Sequence, residues 1–287
     1  MIERFKFKGK NIWLLRDDLL GVFNGNKARK LEYFLAADLS KFQGIISHGS
    51  SQSNAMQSLS IFAKMKGLDF HYVVSHLNSN LKQNPLGNFK SALDNGMILH
   101  IDENREETAK NLAKQHNLLF IKEGVAMSEA EVGFKTQANF IKNFAEQNSI
   151  KFDIFLPSGT GTSACYLSKN IDFDVYTCPC VGDSNYLKSQ ILALDKNSRV
   201  KILTPPKKYH FGDLKPELYK IWREVLDESG IEFELIYDPV GFLTLEQNIL
   251  SFKNEILYIH QGGILGNQTQ IQRYERKNSE NFKHKTR

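Results

Sequence analysis

The chain has 287 residues, 41% of them hydrophobic, which is enough for one large or two medium domains with buried cores. Its longest apolar runs, such as Ile12 to Leu15 and Ile154 to Leu156, fall far short of the roughly 20 residues a membrane helix needs. The opening Met1-Ile2-Glu3-Arg4-Phe5-Lys6 lacks the apolar core of a secretory signal, so a cytoplasmic protein that crosses no membrane is expected.

Net charge is +5, but residues 272–287 hold six Lys or Arg against Glu275 and Glu280 and leave only +1 for the rest. A basic face for nucleic acid is therefore not expected. Cys165, Cys178 and Cys180 cannot all pair with one another, and no CxxC or HxxxH spacing accompanies them. Reduced, buried thiols are expected, and no metal site.

From about residue 30 onward, β-rich runs alternate with helical patterns. Strands are predicted at 44–47, 70–75, 96–101, 118–122, 153–157, 175–179, 201–204, 233–237 and 255–260. Between the strands, Leu31, Phe34, Leu35 and Asp38 recur at helical spacing over 30–39. A second helix over 53–66 opens on Ser53 and Asn54, both good capping residues. The tail after Gln268, rich in Lys, Arg, Asn and Ser, reads as a frayed or solvated end. This rhythm predicts an α/β protein built on parallel sheets, with the four strands between 44 and 122 in one sheet and the later ones in another.

Three polar constellations carry chemistry. In Gly25-Asn26-Lys27-Ala28-Arg29-Lys30-Leu31-Glu32-Tyr33, Lys27 and Lys30 share a helical face, where each cation favours the amine form of the other. That form is what a lysine nucleophile requires, although a basic surface helix would read the same way. Gly49-Ser50-Ser51-Gln52-Ser53-Asn54 lies between a strand and a helix, where backbone amides meet anions, or where Ser53 simply caps a turn. Ser158-Gly159-Thr160-Gly161-Thr162-Ser163 follows another strand and opens another helix, a good phosphate cup. Gly159 to Ala164 also satisfies the dinucleotide pattern GxGxxA. The acidic residue that pattern needs at the end of the next strand is missing, because that strand ends Cys178-Pro179-Cys180 and Asp183 lies beyond it.

In this order the constellations resemble the 1-aminocyclopropane-1-carboxylate deaminase and D-cysteine desulfhydrase family, a branch of the fold-type-II pyridoxal-phosphate enzymes typified by tryptophan synthase β. GNKARKLEY is similar to the family's GGNKxRKLE and SSQSN to its QSN loop, with SGTGTS, YHFG (209–212), DPV (238–240) and IHQGG (259–263) in support. The resemblance implies two domains, each with a mainly parallel twisted sheet: a large cofactor-binding domain of residues 1–35 and 124–287, and a small domain of residues 36–123. It implies pyridoxal 5′-phosphate as cofactor, a small amino acid as substrate, and a homodimer.

Residue by residue, it implies that Lys27 holds the cofactor covalently, Lys30 helps bind its phosphate and Asn54 bonds its 3′ oxygen. Gly159, Thr160, Gly161 and Thr162 would form the cup, and Ser53 would join Lys27 in catalysis. Ser51, Gln52, Ser53 and Asn54 would bind substrate. The chain departs from the family after DPV, where Gly241 and Phe242 replace a tyrosine and a polar residue. A deaminase or lyase that releases ammonia and a 2-oxo acid is expected, acting on D-cysteine or 1-aminocyclopropane-1-carboxylate. The alternatives are a protein that binds pyridoxal phosphate without turnover and an oxidoreductase using a nicotinamide or flavin.

Overall fold

The computed structural model describes residues 1–23 and 25–285, with side chains as far as residue 277. Among these residues the strands are β1 (Ile2–Phe7), β2 (Lys10–Arg16), β3 (Gly44–His48), β4 (Asp69–Val74), β5 (Met97–Ile101), β6 (Leu118–Phe120), β7 (Phe152–Ser158), β8 (Asp174–Pro179), β9 (Lys201–Ile202) and β10 (Glu255–His260). The α-helices are α1 (Asn26–Ala36), α2 (Asn54–Lys66), α3 (Ser79–Gln83), α4 (Gly87–Asp94), α5 (Arg105–Gln115), α6 (Glu131–Gln147), α7 (Thr162–Asn170), α8 (Ser184–Leu194), α9 (Pro216–Ser229), α10 (Asp238–Asn248) and α11 (Asn267–Lys285).

The strands form two sheets. One runs β5-β4-β3-β6 and is parallel throughout; the other runs β1-β2-β10-β7-β8-β9, parallel except for the antiparallel β1–β2 pair. Strict alternation along the central strands supplies two cores to the larger sheet. Phe155 and Tyr258 face Trp222 of α9 and Phe242 of α10, while Ile154, Leu156, Leu257 and Ile259 face Phe134 of α6 and Leu167 of α7. On the smaller sheet, Ile45, Phe70 and Tyr72 pack with Met56, Leu59 and Phe62 of α2, and the opposite face holds Ile46, Val73 and Ala109. Covered on both faces, a parallel sheet leaves its strand ends as the open places for a ligand.

Helix α1 lies where the two sheets' layers meet. Its Leu31 and Phe34 enter the core of the smaller sheet, while its outer side packs on α6. There the Arg29 guanidinium pairs with the buried Asp17 carboxylate at 2.9 Å, which also accepts from Gln137 of α6 at 2.6 Å. A Cβ at Gly133 of α6 would overlap the Arg29 carbonyl, so the two helices approach to backbone contact.

Three expectations need correction, and one segment carried no expectation at all. The first 16 residues form a hairpin, with β2 inside the larger sheet between β1 and β10. No strand forms over 233–237, because the Glu234 carboxylate takes the N–H groups of Ile236 and Tyr237 that a neighbouring strand would use. The strand at 201–204 shortens to two residues ahead of Pro205 and Pro206. The tail is helical to Lys285 and buries Thr269, Gln270 and Tyr274; side chains beyond 277 and residues 286 and 287 lie outside the described residues.

Candidate active site

The three constellations converge on one cavity of about 340 Å³, within the range usual for small-ligand sites. Lys27, Lys30, Ser53, Asn54, Gly159, Thr160, Gly161 and Thr162 all line it. Ser51 and Gln52, expected to meet substrate, do not. The turn into α2 directs the Gln52 N–H to the Ser50 hydroxyl and its carbonyl to Asn88, and Ser50 and Ala55 line the cavity in their place.

Gly25 carries α1 into the site. Its φ is +37° and a Cβ there would overlap the Gln261 carbonyl, so only glycine lets the chain turn this close to the end of β10. Asn26 then ties three segments together. Its backbone N–H donates to the Gln261 carbonyl at 2.9 Å, and its amide nitrogen donates to the Gln261 side-chain oxygen at 3.0 Å and to the Ser163 hydroxyl at 3.2 Å. Its side-chain oxygen accepts from Lys27 Nζ at 2.9 Å, which fixes the lysine over the cavity.

Lys27 is only 9% exposed, and burial pushes its ammonium down to about 8 against the opposing charge of Glu234. Lys30 is also driven down, first by burial and then by the charge of Lys27. The expected cause was the neighbouring cation; for Lys27 the cause is desolvation. Lys30 donates to the Gly124 carbonyl at 2.7 Å, next to the Thr160 methyl group.

The two loop-to-helix turns differ in what they offer an anion. Ser53 caps α2 itself, its Oγ accepting from the N–H groups of Ala55 and Met56, so its lone pairs are committed and its proton is what it can give. Helix α7 has Gly161 as its N-cap residue, in the left-handed region at φ +72°, and no side chain caps it. Its first-turn residues Thr162 and Ser163 line the cavity with no capping side chain for their amides, beside the paired Thr160 and Thr162 hydroxyls, 2.8 Å apart. A buried, readily deprotonated amine and an uncapped helix N-terminus across one cavity fit a phosphorylated aldehyde.

Sequence reasoning missed Glu234, Tyr237, Arg105 and Glu123, all of which line the cavity. Glu234 and Tyr237 lay in a stretch read as a strand, and isolated Arg105 and Glu123 carry no motif. Gly241 and Phe242 do not line it: a Cβ at Gly241 would lie 3.0 Å from the Tyr258 hydroxyl, and Phe242 packs in the core against Phe7, Phe233 and Tyr258. His260, fully buried, is structural, with Nε2 against the Glu232 carbonyl at 2.9 Å and Nδ1 accepting from Gly262 N–H at 3.1 Å. Asp183, the first acidic residue after β8, accepts from the Tyr186 N–H to cap α8.

No family model matches the chain. A protein of Pyrococcus horikoshii, provisionally described as a 1-aminocyclopropane-1-carboxylate deaminase, is 28% identical over 284 residues, covering 90% of this chain and 86% of its own. A similarly described protein of Thermotoga maritima is 26% identical, covering 90% of both. Among solved structures, an ACC deaminase homologue superposes with a TM-score of 0.76 at 24% identity, over 96% of this chain and 92% of that one. A threonine deaminase of T.th. gives 0.64 at 15% identity, over 89% and 88%. In sequence the chain thus resembles the 1-aminocyclopropane-1-carboxylate deaminases, and in architecture it has the α/β fold of the fold-type-II pyridoxal-phosphate enzymes.

Proposed function

We propose that the protein is a pyridoxal-phosphate-dependent lyase or deaminase acting on a small amino acid of the D-cysteine or 1-aminocyclopropane-1-carboxylate type, releasing ammonia and a 2-oxo acid. The observation that carries this is the buried Lys27 amine facing the uncapped N-terminus of α7 across one cavity. When bound, the cofactor supplies the electron sink that stabilises negative charge on the substrate carbon skeleton.

The protein's residues do the rest. Lys27, easily deprotonated where it sits, would hold the cofactor covalently through its Nζ. Gly159, Thr160, Gly161 and Thr162 would hold the phosphate by backbone amides and hydroxyls, with Lys30 adding a cation at the same end. Asn54 would orient the ring edge, Ser50 and Asn54 would receive the substrate carboxylate, and the Ser53 hydroxyl, its lone pairs taken by the α2 amides, would give a proton next to it. Tyr237, Phe211 and Val181 add apolar surface to the cavity wall. The reading includes a cytoplasmic homodimer.

Borohydride reduction of loaded protein followed by peptide mapping is expected to find the pyridoxyl group on Lys27. A panel of D- and L-amino acids is expected to yield 2-oxo acid from at least one small member. Label absent from Lys27 would reject the reading; label without turnover would leave a binding protein. The observation that favours that second reading, the loss of the polar pair at Gly241 and Phe242, concerns side chains that do not face the cavity.

A further inference from the structure

Glu234 has no part in the chemistry above, yet it is a buried carboxyl, 2% exposed, on the cavity wall with Lys27. It lies in the loop between α9 and α10, where its Oε2 accepts from the N–H groups of Ile236 at 2.7 Å and Tyr237 at 2.6 Å. Those bonds fix the carboxyl plane. Its Oε1 has no hydrogen-bond partner among the described residues. Gly263 makes room for it: a Cβ there would lie 3.0 Å from Glu234 Cγ and 2.6 Å from Asn54 Nδ2, so both side chains use the space a larger residue would fill.

A turn of this kind needs one acceptor oxygen, which a neutral side chain supplies as well. Keeping an ionisable group there instead costs desolvation with no return from the turn. The charged or titratable groups facing it are Lys27 of α1, with Lys30 behind it, Tyr237 just before α10, Asp238 at the start of α10, and Cys180 after β8. Asp238 is already engaged, accepting from the Tyr258 hydroxyl at 2.6 Å and the Glu234 N–H at 3.1 Å. Lys27 is the cation within its field.

Taking Lys27 as the cofactor lysine, as in the proposed function, we propose that Glu234 is the positioning residue that sets the charge of the Lys27 amine. As a carboxylate it holds Lys27 Nζ as ammonium. Among the described residues no hydrogen bond or ion pair joins the two side chains, so they act on each other through the field across the shared cavity wall: loss of the Lys27 proton and uptake of one by Glu234 leave a neutral amine and a neutral acid, the uncharged pair a desolvated cavity favours. Burial pushes Glu234 up to about 8 and Lys27 down to about 8, so both groups change state over the same pH range.

The test measures association of pyridoxal phosphate with resolved wild-type protein, Glu234→Gln and Glu234→Asp as a function of pH, followed by visible absorption. Glu234→Gln keeps the acceptor for the turn and removes the charge. Its association midpoint is expected about one pH unit or more below that of wild type, with Glu234→Asp partly restoring it. An unchanged midpoint in folded, loaded Glu234→Gln overturns the inference. Absence of the pyridoxyl group from Lys27 in reduced wild type overturns the functional reading instead.

A second measurement does not depend on that variant folding. In protein carrying carbon-13 at the glutamate carboxyls, a Glu signal is expected to titrate beside Lys27 and to move to higher pH in Lys27→Met. If every glutamate titrates as a surface carboxylate, the inference fails.

Discussion

The Asn26 amide donates to the Ser163 hydroxyl at 3.2 Å, joining the first turn of α1 to the first turn of α7 across 137 residues of sequence. Through the same side chain, Lys27 Nζ is held at 2.9 Å. One residue thereby sets the distance between the amine and the anion-binding turn.

Asn26→Ala is therefore expected to leave the fold intact while loosening Lys27. A hydrogen bond to a cation is worth about 1.5–3 kcal/mol, so cofactor affinity and turnover should each fall by roughly tenfold or more. Equilibrium titration with pyridoxal phosphate, followed at the visible band, checks the first; unchanged affinity would show that the network does not position the lysine.

Gly161→Val attacks the cup from the backbone. The residue sits at φ +72°, and a Cβ would meet Ile191 at 2.5 Å and Leu187 at 3.1 Å, so α7 must move away from α8. Strain of this type costs about 1–3 kcal/mol. Both the melting temperature and phosphate-dependent cofactor retention should drop, and pyridoxal lacking the phosphate should lose far less affinity than pyridoxal phosphate.

Much of this site was readable because its parts are contiguous. GNKARKLEY, SSQSN and SGTGTS each occupy a single loop-to-helix turn, and a turn's glycines and hydroxyls reveal it in one dimension. Glu234 was unreadable for the opposite reason. Phe233-Glu234-Leu235-Ile236-Tyr237 is rich in strand-forming residues, and only a side chain folding back on two amides converts it to a turn. The β1–β2 hairpin escaped notice in a similar way: IERFKF carries charges because β1 is an edge strand with one wet face, while its Phe5 and Phe7 are buried. The amine state of Lys27 was expected from Lys30 beside it, whereas depth of burial, which sequence does not display, is what lowers it.

The cofactor-free protein should also betray Lys27 through its pH dependence. The folded pKa of about 8 lies below the ordinary 10.5, so the native state carries fewer protons than the unfolded chain between those values, and stability rises with pH across that window. Lys27→Met removes this slope and is expected to stabilise the cofactor-free protein by roughly 1–3 kcal/mol at pH 7. Urea midpoints at pH 7, 8 and 9 test it; parallel pH profiles for the two proteins would contradict it.

Gly133→Ala probes the helix that carries the lysine. With no room between α6 and the Arg29 carbonyl, an added methyl must pry α1 from α6 and lengthen the buried Asp17–Arg29 pair. A loss of about 1–3 kcal/mol in unfolding free energy is expected, measured by chemical denaturation, with a smaller effect on the exposed neighbour Lys135→Ala.

The interior place of β2 bears on how the chain is made. Strands β3 to β6 come from one continuous stretch and can pair while later segments are still being synthesised. Strand β2 must wait for β10, whose His260 aligns with Arg16, to leave the ribosome some 240 residues later. On that account the two sheets mature at different times during translation. The Lys27 helix, which follows β2 directly, gains its final setting only when the last strand arrives.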